Sequence, residues 1–339
     1  MIEVPIAEPV ITSIPNYAAH LALTGVYLQT NSKETYMNWF VQQFANVMCD
    51  LKEDRKGFLL FDNVFGGNLI HASPILRREI YNGVQMQNMG IPFKNFIIER
   101  LKAGFVVYMT LNRKFIPESQ IQEDNNHETL IHGYDTETDS FFVSDFYHGK
   151  KYGTIKLSGE NLEKCVSTFT QLNRLDLVAP GADQDVHIYT FQRFDDLENQ
   201  KDLNIGYEPE KYLFALERYL NAKIVGNMAY GRKCYDIQEE LICSNAADMK
   251  SFHLLYDHKV ALQKSVEFLM DTKKIPYQKE LIEDIKKLEK RLLIFRKLFI
   301  KEWISGKYRS DFLCKKLTEI KDFDEIVYTN LYDTVKKSC

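Results

Sequence analysis

The chain has no run of apolar residues that is both free of charge and long enough to span a bilayer. Its opening, MIEVPIAEPVITSIP, carries acidic residues and prolines where a secretion signal needs a basic end and an apolar core. These two absences lead us to expect a cytoplasmic protein with no membrane partner. An excess of positive charge is also missing. Against 43 Lys and Arg stand 47 Asp and Glu, a formal charge of −4, which gives no electrostatic reason to expect nucleic acid as a partner. The densest basic stretch, Lys286 to Lys301, alternates with Leu, Ile and Phe at helical spacing and reads as a solvated helix face. The cysteines Cys49, Cys165, Cys234, Cys243, Cys314 and Cys339 form no Cys-x-x-Cys pair and have no histidine at zinc spacing. No metal is expected, and in a reducing compartment these are free or buried thiols. Internal repeats and low-complexity segments are absent as well.

What is present is an ordinary globular composition, 45% hydrophobic and 27% charged over 339 residues, enough for two units. The expected division is residues 1–205 and 206–339. In the first, helical periodicity appears from Ala18 in AAHLALTGVYLQT and again through ETYMNWFVQQFANVM. Strand-type runs follow: GFLLF, AGFVVYMTL, ETLIHGYD, SFFVSDF, GTIKL and HIYTFQRF. Helices first and an antiparallel sheet afterwards indicate an α+β domain. Beyond Tyr207, Gly and Pro become scarce. Leu281, Ile285, Leu288, Leu292, Phe295 and Phe299 recur at alternating spacings of four and three, the seam of helices packed in a bundle.

Chemistry concentrates in NHETLIHGYDTETDSFFVSDF, Asn126 to Phe146. TETD between two strand-type runs reads as a hairpin turn. Pairing the runs brings His127, at the start of one strand, close to Asp145, near the end of the other. A carboxylate on one imidazole nitrogen fixes the tautomer and leaves the other nitrogen free to move a proton. His132 lies five residues after His127, so strand alternation puts it on the opposite face. Cys49, at the end of the second expected helix, is a poor nucleophile because the helix dipole there disfavours a thiolate.

The order of these elements, a histidine followed by HGYD and then a hydrophobic strand ending in Ser-Asp-Phe, resembles the His and Asp half of the papain-like clan. The likeness is to its bacteriocin-processing peptidase and butirosin-type acyltransferase branches, and it covers the first of the two expected units. It implies a papain-like fold, N-terminal helices packed on an antiparallel sheet, followed here by an all-helical domain. It also implies a nucleophilic cysteine at the start of the first long helix, where the dipole stabilises a thiolate. The segment IPNYAAHLALTG places that position at Ala18 or Ala19, so the thiol is replaced by alanine, either by an introduced change or in a natural pseudoenzyme. The glutamine that often precedes the cysteine in the clan is absent, which leaves Asn16 or backbone N–H groups to stabilise an oxyanion.

The activity implied is that of transglutaminase-like amide synthases of natural-product assembly. An acyl chain passes from the phosphopantetheine thioester of a carrier protein, through a cysteine acyl-enzyme, to an amine such as a diamine, with His127 as base and no cofactor. His20 is a candidate pocket residue. Phe61, Phe65, Tyr108, Phe146 and Tyr147 suit either a tunnel for the acyl chain or the core, and the Gly-Gly bend within Phe61 to His71 suits a pocket rim or a turn. The alternatives are a leader-peptide cysteine peptidase and a catalytically silent acyl-binding protein.

Overall fold

The computed structural model describes residues 1–62, 73–147, 151–167, 187–198, 200 and 205–339. Along the chain run β1 (Ile2–Glu3), α1 (Pro15–Thr24), α2 (Lys33–Gln43), β2 (Val47–Asp50), β3 (Leu59–Phe61), β4 (Leu76–Asn82), α3 (Gly83–Asn88) and α4 (Phe93–Lys102). Next come β5 (Val106–Asn112), β6 (Asn126–Asp135), β7 (Ser140–Tyr147), β8 (Lys151–Ser158), α5 (Gly159–Ser167) and β9 (His187–Arg193). The remainder is α6 (Pro209–Asn221), β10 (Ile224–Val225), β11 (Met228–Tyr230), α7 (Lys233–Cys243), α8 (Met249–Asp271), α9 (Lys279–Ser305) and α10 (Ser310–Lys336). The class is α+β, with antiparallel sheets and separate helices. None of the described helices is long and apolar enough to cross a membrane.

The chain forms two compact units, and they do not divide at residue 205. One comprises Met1–Pro9, Pro15–Thr30 and Ser73–Leu203; the other comprises Val10–Ile14, Asn31–Ala72 and Asn204–Cys339. Residues 31–72 join the second unit because β2 pairs with β11, Cys49 opposite Ala229, across a long sequence separation that leaves no local trace. The helix expected to run on through Met48 stops at Gln43. Asn46 is fully buried and takes the N–H of Val47 on its own Oδ1 at 2.7 Å, a side-chain bond that competes with helix continuation. Val47 then opens a strand.

In the first unit the sheet order is β4-β9-β5-β6-β7-β8, all neighbours antiparallel, with β1 added to the far end of β6. β5 is buried at six of its seven positions, so it is covered on both faces. β4, LRREIYN, is an edge strand whose exposed Arg77 and Arg78 suit a free edge; its charge hides it from a period-two search. α1 opens with Pro15, whose missing N–H costs nothing at a first helical position. Its eight residues from Tyr17 to Thr24 are all buried, as in a helix enclosed on every side, and it packs against β6 and β7.

The second unit is a helical bundle with a small sheet, β10-β11-β2-β3. The α9 seam is buried at each expected position, Leu281, Ile285, Leu288, Leu292, Phe295 and Phe299. Its core also contains charge. Lys259 and Asp324 are both fully buried with Nζ 2.6 Å from Oδ1. The Tyr219 hydroxyl accepts from Lys259 at 2.8 Å and donates to Asp324 at 2.5 Å. Lys259 Nζ also lies 4.7 Å and 4.4 Å from the ring centres of Tyr219 and Tyr328. Removing one member of such a pair strands the other. Asp324→Ala is expected to lower the stability of this unit by about 3–5 kcal/mol, whereas Lys259→Met combined with Asp324→Leu costs far less. Urea unfolding followed by the fluorescence of Trp39 and Trp303, both in this unit, checks it; equal costs for the single and double variants would contradict it.

Candidate functional site

The β6–β7 hairpin pairs Asp135 with Ser140 around the turn at residues 136–139, and a bulge at His132 shifts the register by one residue so that Leu130 lies opposite Ser144. Continuing it sets Thr129 opposite Asp145 and His127 diagonally beside it on the same face. His127 Nδ1 lies 2.9 Å from Asp145 Oδ1 and 3.1 Å from Oδ2. A proton on Nδ1 satisfies that carboxylate, and Nε2 makes no hydrogen bond among the described residues. Asp145 is 1% exposed, while the His127 side chain retains 27% of its exposure. The imidazole therefore joins a buried anchor to an accessible edge.

A third member was not read from the sequence. Arg113, immediately after β5, donates to Asp145 Oδ2 from Nε at 2.9 Å and from Nη2 at 2.7 Å. Its Nη2 also reaches the carbonyl of Phe146 at 3.3 Å. The N–H of Phe146 gives Asp145 Oδ1 a further donor at 2.7 Å. Arg113 and the His127 hydrogen bond thus converge on Oδ2, while Oδ1 takes the backbone N–H and lies close to His127 Nδ1. Its only sequence signal is its position at a strand end, in a turn where Asn112 Oδ1 accepts from Lys114 N. Nothing local connects it to a residue 32 positions away.

The other expected residues separate into groups. Ala18 and Ala19 lie in the first turns of α1, 0% and 4% exposed, in the same unit as the His–Asp pair, and Asn16 precedes them on that helix. Phe146 meets the His127 ring edge-on at 6.3 Å and Tyr152 at 5.3 Å. Tyr108 and Tyr147 are each 3% exposed. Burial, and then the Asp145 charge, push the Tyr147 and Tyr152 phenols up, so both remain neutral.

Phe61 is a correction. It lies on β3 in the other unit, edge-on to Phe44 at 5.0 Å and to His258 at 5.9 Å, and so serves as core there. Phe65 lies outside the described residues, as does the Gly-Gly bend. Cys49 is also corrected: it sits on β2, fully buried, not at a helix end. Burial pushes its thiol up to about 12, so it remains an inert thiol.

His20 and His132 are both buried structural histidines. His20 Nε2 bonds Ser73 Oγ at 2.7 Å. His132 sits at a bulge in β6, with Nε2 3.4 Å from Thr154 Oγ1. Thr154 pairs with Ser144, the neighbour of Asp145, so His132 occupies the face opposite His127, as alternation requires. Burial pulls His20 down to about 3 and His132 down to about 4, below the value of about 6.5 for an unfolded histidine.

The sign of the consequence follows. As pH falls through 6.5, the unfolded chain takes up protons that the folded unit refuses, so stability complete above that value is lost on the way down. Between pH 6.5 and 5 each histidine removes about 2 kcal/mol from this unit. Amide exchange in β5, β6 and β7, corrected for intrinsic rates, is expected to show this loss. His20→Gln and His132→Gln should each remove one histidine's share, and an unchanged pH slope in both would refute the assignment.

No protein-family model matches the chain, and no characterised protein matches its sequence.

Proposed function

We propose that the first unit is built for papain-type acyl transfer, and that the chain as it stands lacks the attacking thiol. The observation that carries this reading is the Asp145–His127 contact, fixed by Arg113, on the strands against which α1 packs. With a cysteine at position 18 or 19, His127 Nε2 takes the thiol proton. The thiolate then attacks the carbonyl of a carrier-bound thioester, a new C–S bond forms, and the phosphopantetheine thiol leaves with the proton. A primary amine next attacks the acyl-enzyme, gives its proton to His127 and releases an amide and the free cysteine. A thioester donor has a good leaving group, so excluding water from the site is enough to favour the amine.

With alanine at both positions no acyl-enzyme forms. The alanines support a second reading of the same site, a catalytically silent protein that holds an acyl thioester. Leader-peptide cleavage would use the same three groups, and product analysis with an amine or a peptide acceptor separates it from amide formation.

The test is intact-protein mass spectrometry of Ala18→Cys and Ala19→Cys incubated with an acyl thioester, with and without a diamine. One variant is expected to gain an acyl adduct that disappears as amide accumulates. Adding His127→Gln to that variant should slow adduct formation by about 10²–10⁴-fold. No adduct on either variant, with circular dichroism unchanged, would remove acyl transfer and leave the silent binder.

A further inference from the structure

The second unit contains two cysteines that the acyl-transfer chemistry does not use. Cys243, the last residue of α7, is exposed, and Cys314, in the second turn of α10, is half-buried. Their sulfurs are 3.0 Å apart, against about 2.04 Å for a bonded pair.

The approach follows from the register of the two helices, which run antiparallel. Asp236 takes Lys321 at 2.9 Å, Glu239 Oε1 takes the Thr318 hydroxyl at 2.7 Å, and Cys243 meets Cys314. On α7 these positions step by three and then four residues. On α10 they step back by three and then four, so the residue numbers of each pair add to the same total. That is one continuous facing stripe. The two polar contacts set the register that brings the thiols together, and the Cys314 thiol adds a contact to the Glu239 carbonyl at 3.6 Å.

We propose that Cys243 and Cys314 form a reversible disulfide through exchange with a low-molecular-weight disulfide. The exposed Cys243 thiolate attacks one sulfur of glutathione disulfide, forming a mixed disulfide and releasing one glutathione thiolate. Cys314, as its thiolate, then displaces the second glutathione and closes the internal S–S bond. Two thiols lose two protons and two electrons, and one glutathione disulfide becomes two glutathiones. Burial and the neighbouring Cys243 push the Cys314 thiol up to about 12, which makes closure the slow step. The bridge joins residues 71 apart in sequence, with α8 and α9 between them, so it constrains the unfolded unit over a long loop.

The remaining cysteines provide the comparison. Cys49, Cys165 and Cys234 are buried, and Cys339 is exposed. The full chain, equilibrated with glutathione disulfide and digested without reduction, is expected to yield a cross-linked peptide joining Cys243 to Cys314. Cys339 should carry a mixed glutathione adduct. The melting temperature should rise by several degrees and return on reduction. Cys314→Ser should trap glutathione on Cys243 and abolish the rise. Wild-type protein that accumulates a lasting glutathione adduct on Cys243, or links it to Cys339, would overturn the proposal, as would a melting rise that survives in Cys314→Ser.

Discussion

Asp145 lies almost out of reach of water, where a lone carboxylate costs several kcal/mol, a large fraction of the net stability of a domain. The surrounding chain meets that cost with three kinds of donor. Arg113 supplies a countercharge and two N–H groups to Oδ2, the backbone of Phe146 supplies an N–H to Oδ1, and His127 supplies Nδ1. The donors come from the end of β5, the start of β6 and β7 itself, so the carboxylate ties three adjacent strands together where they would otherwise fray. Geometry that resembles a catalytic arrangement is therefore also what keeps this end of the sheet closed.

This division of labour bears on the histidine. Arg113 already supplies the countercharge of Asp145, so the carboxylate that orients His127 is paired independently of the imidazole. Arg113 in turn depends on how the chain leaves β5. Asn112 is 1% exposed, donates to Asp124 at 3.0 Å and accepts from the N–H groups of Lys114 and Asn125. That small polar knot turns the chain so that the guanidinium reaches back towards β7. A change at Asn112 would reach His127 through two intermediates without touching it.

Features governed by short-range physics were legible in the sequence. The hairpin could be placed because two strand-type runs flank TETD, and His127 and Asp145 came with it as strand ends, while the bulge at His132 that sets them on one face leaves no mark in the pattern. The α9 seam could be placed because its period is long and uninterrupted. What escaped depends on pairing across the chain or on burial. The charged edge strand β4 has no alternation to detect. The end of α2 turns on one buried asparagine side chain. The division into units depends on β2 meeting β11, which set Phe61 in the core of the second unit and Cys49 off its expected helix end. Arg113 carries no mark of function beyond its charge until Asp145 is seen to be buried.

The burial of α1 explains why positions 18 and 19 carry alanine. Every residue from Tyr17 to Thr24 is enclosed, so positions 18 and 19 admit only small side chains, and anything bulky there would force the helix off β6 and β7. Alanine differs from cysteine by one sulfur, and none of the groups that hold Asp145 and His127 in place uses that sulfur. The His127–Asp145 pair is therefore held by Arg113, the Phe146 backbone and the hairpin, whatever stands at positions 18 and 19, and its geometry is first of all a property of the sheet.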